Sequence, residues 1–177
     1  AVLVQSGLYY DEWWGEAMRC YCFLRCVIDK MESDLKTPYE RRFGVLYRGP
    51  AYPFGCEVEY MPASVKDKRR LHKYGRQHLP GILIGYDQKA GGGFTGDLLI
   101  ADWDEVQHCK LDEKATFIGI RRVPAAEVLV VKDAEELFKF PCLDGRLTQG
   151  SVSNEETDLE YERRKRLVRK PVGRPPG

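Results

Sequence analysis

The chain has 177 residues, 43% hydrophobic and 31% charged, with 28 lysines and arginines against 27 acids. That length holds one moderate domain, or a small domain with helical and charged flanks, and the near-zero balance gives no bulk attraction to a polyanion. No apolar run is long enough to cross a bilayer and the N-terminus lacks the basic stretch of a signal peptide; six cysteines in no extracellular framework point to a reducing, intracellular setting, nucleus or cytoplasm.

Ala1 to Leu8 is short and apolar, with Ser6 and Gly7 as a helix stop, and its bare valines and leucines read as the end of a helix begun upstream. Asp11 can cap a second helix, Glu12 to Lys30, whose apolar positions Trp14, Ala17, Met18, Tyr21, Leu24, the stem of Arg25 and Ile28 recur at three- and four-residue steps. At least one of the adjacent rings Trp13 and Trp14 must be buried against another surface. Cys22 and Cys26 share a helical face and Cys20 points away; with no histidine or fourth cysteine nearby in sequence, these are buried small hydrophobes before they are metal ligands.

Thr37 and Pro38 form a cap with a first-turn proline, Glu40 sits at the third helical position, and Gly44 ends the short helix. Pro50 and Pro53 then lead into a strand in which Cys56, Val58 and Tyr60 alternate with Glu57 and Glu59, so that one face enters a core. Gly81 to Tyr86 is almost continuously apolar and reads as a strand covered on both faces. Between the two strands lies a loop holding Lys66, Lys68, Arg69, Arg70, His72, Lys73, Arg76 and His78, with one acid, Asp67, and one aromatic, Tyr74. Such a loop is either a solvated surface or a set of phosphate contacts, because ammonium and guanidinium donors hold a nucleic-acid backbone without reading its sequence.

Ala90 to Gly93 is a turn, lacking the lysine and hydroxyl residue of a phosphate-gripping loop, and Leu98 to Ala101, Ala115 to Val123 and Glu127 to Val131 are further strands. Ala134 to Phe138 is expected as a helical turn. Asp97, Asp102 and Asp104 are the acids nearest to a two-metal arrangement, but Trp103 and the adjacent turn glycines favour a strand end. His72, His78 and His108 are scattered without a paired nucleophile. Ser151 to Gly177 is charged and poor in apolar residues, with an acidic block before Arg163, Arg164, Lys165 and Arg166, so it is expected to be a disordered tail or charged helix, its basic half a second candidate nucleic-acid arm or a nuclear address.

Together, Trp13 to Ala17, the helix through Tyr21 and Leu24, Lys36 to Glu40 with Gly44, Pro53 to Gly55, Gly81 to Tyr86 and Gly96 to Asp102 resemble the integrase region of copia-type retrotransposon polyproteins, in the form found in protists including dinoflagellates. The resemblance runs from Ala1 to about Phe140. It implies an α+β chain: the last helices of a ribonuclease-H-like core at 1–35, a connector at 36–52, a small, mostly antiparallel SH3-like β-barrel at 53–140 and a flexible charged tail at 141–177. It further implies that the three metal-holding carboxylates of the parent enzyme lie upstream of Ala1, so that this chain has no catalytic residues, metal or cofactor of its own, divalent metal belonging to the intact parent.

The expected function is therefore a noncatalytic module associated with DNA integration, binding DNA nonspecifically through Lys66, Lys68, Arg69, Arg70, Lys73 and Arg76 and through Arg163 to Arg166. The alternative is a protein-interaction module that self-associates, or meets the rest of an integrase core, through Trp13, Trp14 and Met18. An independent enzyme would need an acid, base or metal site that the sequence does not display.

Overall fold

A computed structural model describes residues 2–8, 10–109 and 118–148. The charged segment from Ser151 onward and the first part of the Ala115 to Val123 strand lie outside the described residues.

Helix α1 (Val2–Ser6) stops at Gly7, whose φ of 73° is the left-handed geometry that glycine adopts freely. Helix α2 (Tyr10–Ile28) lies against the sheet. Its buried stripe is Trp13, Ala17, Cys20, Phe23 and Val27, with Leu24 half-covered beside it. This corrects the expected phase: Trp13 is 5% exposed, whereas Trp14 and Met18 are each 51% exposed and Tyr21 is also at the surface. Of the three cysteines expected as buried small hydrophobes only Cys20 is buried; Cys22 and Cys26, on the face turned away from it, are exposed. Helix α3 (Pro38–Phe43) is capped as expected, Thr37 Oγ1 accepting from the Glu40 amide at 3.1 Å and Gly44 closing it at a φ of 70°.

Five antiparallel strands, β1 (Glu57–Tyr60), β2 (Leu79–Gln88), β3 (Phe94–Asp102), β4 (Ile120–Pro124) and β5 (Val128–Val130), form a sheet of order β4-β3-β2-β1-β5. In β1, Val58 and Tyr60 point inward and Glu57 and Glu59 stay partly wet. In β2, residues Gly81 to Tyr86 are buried on both faces, because α2 covers one of them. The α+β class holds, but the SH3-like barrel does not: β4 and β5 share no ladder, and the sheet is open. A three-residue 3-10 turn, Ala125–Glu127, carries the chain from one edge strand to the other. Five strands laid flat would separate those edges by about 19 Å, more than that link spans, so the sheet curls strongly. It stops short of closure: β5 pairs with β1 on one edge, Val58 opposite Val130 and Tyr60 opposite Val128, and its other edge forms no ladder with β4.

Two local expectations also change. Residues 134–138 form a turn closed by a bridge between Lys132 and Phe138, not a helical turn. Part of the basic loop is a short helix, α4 (Val65–Lys68), capped by Ser64. Asp102 ends β3 and starts helix α5 (Trp103–Gln107), its carboxylate accepting from the Asp104 and Glu105 amides.

The ring of Phe23 ties the helices to the sheet, lying 4.6 Å from Tyr86, 5.5 Å from Tyr47 and 5.9 Å from Phe94 between centroids. Tyr86 in turn accepts from the Tyr52 amide at 2.6 Å and donates to the Tyr52 carbonyl at 2.8 Å, fixing the connector to β2.

Candidate nucleic-acid interface

The basic loop divides into paired and unpaired cations. Arg70 is anchored: its Nη1 lies 2.7 Å from Asp102 Oδ2 and its Nη2 2.6 Å from Asp104 Oδ2. The Asp102 side chain is fully buried and also accepts from Tyr60 Oη at 2.7 Å. Burial, with the Asp102 charge behind it, raises the Tyr60 hydroxyl far above its ordinary range and keeps it a donor. Burial alone would lower the Arg70 guanidinium, but its hydrogen bond and charge pairing with Asp102 reverse the sign and hold it charged.

Beside this strut, Arg121 grips Asp67 with Nε at 2.9 Å and Nη2 at 3.1 Å, and Glu105 with Nη1 at 3.2 Å and Nη2 at 3.0 Å. Lys66 joins from the rim, 3.2 Å from Glu105. Desolvation pushes Asp67 and Glu105 up, yet the Arg121 hydrogen bonds outweigh it and both carboxyls end below their ordinary values. Planar, two-pronged guanidinium contacts of this kind satisfy buried carboxylates at low conformational cost. The network brings α4, α5, β1, β3 and β4 together, and its four carboxylates outnumber its three cations.

Of the six loop residues expected to bind DNA, Lys66 and Arg70 therefore belong to this network, and Arg76 pairs with Glu59 at 2.9 Å in an exposed position where the pair contributes little. Lys68, Arg69 and Lys73 have no ion pair among the described residues and are exposed. Lys73 Nζ lies 5.4 Å from the ring centroid of Tyr74, which is 84% exposed. Arg163, Arg164, Lys165 and Arg166 lie outside the described residues.

The three central aspartates do not converge. Asp102 and Asp104 meet at Arg70, while Asp97 sits farther along β3, opposite Pro124. No group of three or more histidines, cysteines and acids is placed to hold a metal among the described residues, and no helix there is long and apolar enough to cross a membrane. His108 and Cys109 adjoin α5, the His108 ring lying 2.7 Å from the Asp104 carbonyl.

Sequence reading missed Arg19 and Arg42. Both line a cleft between α2, α3 and the β2–β3 turn, brought together by tertiary packing that no local spacing records. No family model, curated protein or solved structure matches this chain.

Proposed function

We propose that the chain is a noncatalytic nucleic-acid-binding module from the integrase region of a copia-type retroelement, holding the DNA backbone without sequence preference. The observation that supports it is the exposed trio Lys68, Arg69 and Lys73, without an ion pair among the described residues, with Lys73 beside the exposed ring of Tyr74. Cations free of carboxylates can displace condensed counterions from a duplex, so affinity falls steeply as salt rises. Arg70 and Arg121 support this surface from behind by fixing α4, rather than contacting phosphate. The acids nearest to a metal set, Asp102 and Asp104, are engaged by Arg70, which favours a binding role over a catalytic one. The six cysteines, in no extracellular disulfide framework, suit a nuclear or cytoplasmic setting.

Fluorescence anisotropy with duplex DNA across a salt series tests the reading, using the whole chain, the chain without residues 155–177, and a Lys68→Glu/Arg69→Glu/Lys73→Glu variant. The expected result is a negative salt slope that persists without the tail and is lost in the triple variant. Unchanged binding by that variant would overturn the assignment.

A second reading, self-association, is favoured by the exposed stripe Trp14, Met18 and Tyr21 next to Val4, which line an apolar groove of about 410 Å³. Trp13, buried in the core, takes no part in it. Sedimentation at increasing concentration decides: a salt-insensitive dimer that Met18→Glu dissolves supports this reading, and a monomer throughout removes it.

A further inference from the structure

The cleft between α2, α3 and the β2–β3 turn has a volume of about 450 Å³, within the range of small-molecule sites. Its lining carries two guanidiniums, Arg19 and Arg42, and no carboxylate. Neighbouring arginines are spent on acids, Arg25 on Asp29, Arg41 on Asp34 and Arg122 on Asp87, whereas Arg19 and Arg42 have no such partner among the described residues. Glu16 and Asp87 line an adjoining groove with Arg19, and Asp87 is already held by Arg122.

The remaining walls are flat and firm. Phe43 is partly exposed, Tyr39 backs it at 4.6 Å between ring centroids, and the Arg42 guanidinium lies 5.7 Å from the Phe43 centroid. Gly91 and Gly92, at φ of 99° and 91°, complete the lining with backbone bare of side chains, Gly91 lying beside the Arg42 guanidinium. The aromatic cluster around Phe23 holds these walls in place.

We propose that this cleft binds an unpaired nucleotide, its base against Phe43 and the Arg42 plane and its phosphate between Arg19 and Arg42. Two positive groups in a lining without an acid select an anion, and the aromatic ring beside them offers a stacking face to a planar group attached to it. A paired base inside a duplex presents no free face to such a wall, so the site takes single strands or free nucleotides. The inference extends the nucleic-acid reading to a second, base-contacting site and stands or falls separately from it.

The test is anisotropy of the whole chain with a fluorescein-labelled oligothymidylate, against an abasic strand of equal length and against thymidine monophosphate as competitor. Arg19→Glu/Arg42→Glu, at exposed positions, should lower oligothymidylate affinity about tenfold or more, and Phe43→Ala should lower it several-fold while leaving the abasic strand unaffected. Bound oligothymidylate should also slow alkylation of Cys22 and Cys26, which line the cleft, a readout independent of any substitution. Competition by thymidine monophosphate at comparable concentration would assign the site to free nucleotides, and failure to compete would assign it to strands; either supports the cleft. If the Lys68→Glu/Arg69→Glu/Lys73→Glu variant loses the oligothymidylate as completely as the duplex, or if the arginine variant retains it, the cleft proposal is overturned. Loss of oligothymidylate binding in the arginine variant, in a chain that binds no duplex, would instead overturn the earlier reading and leave this one standing.

Discussion

Arg70 Nη1 lies 2.7 Å from Asp102 Oδ2, so the most basic stretch of the chain is pinned by a carboxylate that also caps α5 and accepts from Tyr60. One arginine of the loop is thus part of the scaffold, while Lys68 and Arg69 just before it face solvent.

Substitutions should separate the two groups. Arg70→Met leaves Asp102 buried without its cation and should cost about 3 kcal/mol, read as a lower urea midpoint. Lys68→Glu/Arg69→Glu/Lys73→Glu touches no ion pair and should leave stability within about 0.5 kcal/mol while removing duplex binding. A stable Arg70→Met protein would mean that the network does not hold the fold.

The network also sets an acid limit. Asp67 and Glu105 are held below their ordinary values of 3.8 and 4.5, so the folded chain binds fewer protons than the unfolded one as these groups titrate. Their stabilisation is fully present above those ordinary values and is lost as pH falls through the lowered ones. Urea midpoints should therefore be flat near these groups' contribution from pH 7 to pH 5 and fall below about pH 4.5, and Glu105→Gln should shrink that fall. An equal acid dependence in Glu105→Gln would exclude Glu105 as a source.

What was legible in the sequence was local. Thr37, Pro38 and Gly44 carry their cap chemistry within one short helix, and the alternation of Val58 and Tyr60 with Glu57 and Glu59 needs only one strand. Arg70 reads like Arg69 because its partner Asp102 is 32 positions away. Sheet closure was illegible for the same reason: strand order depends on which edge β5 meets, and nothing in Val128 to Val130 names β1. The cleft arginines, on two helices, carried no mutual spacing to read.

Two glycines hold close approaches. Gly55, at a φ of 79°, leaves no room for a Cβ against the Ser6 side chain, and a Cβ on Gly81 would stand 2.8 Å from the Ala101 carbonyl oxygen in the ladder between β2 and β3. Gly81→Ala should cost about 1 to 3 kcal/mol by overpacking, and Gly55→Ala should cost as much or more because left-handed strain adds to the collision. Gly96→Ala makes a control for strain alone, since its φ is 105° and nothing crowds its Cβ. Thermal melts of the three variants check the order; a Gly55→Ala midpoint above that of Gly96→Ala would contradict the packing of α1 on this turn.

The paired tryptophans give the clearest test of how α2 is turned. Along the helix, Trp13, Ala17, Cys20, Phe23 and Val27 make one apolar stripe, and Trp14, Met18, Tyr21 and Ile28 make another beside it. Adjacent helical residues differ by about 100° in direction, so the sheet can cover only one stripe, and local pattern ranks them equally. Phe23 decides the matter through its stacking on Tyr86, which draws Trp13 inward and leaves Trp14 out. Trp13→Ala should therefore cost about 3 to 5 kcal/mol, whereas Trp14→Ala should stay near 0.5 kcal/mol in a dilute monomer. Quenching by iodide reports the same geometry, falling more in Trp14→Phe than in Trp13→Phe. Equal destabilisation by the two alanine variants would mean that α2 is gripped on both stripes, the outer one by a second molecule.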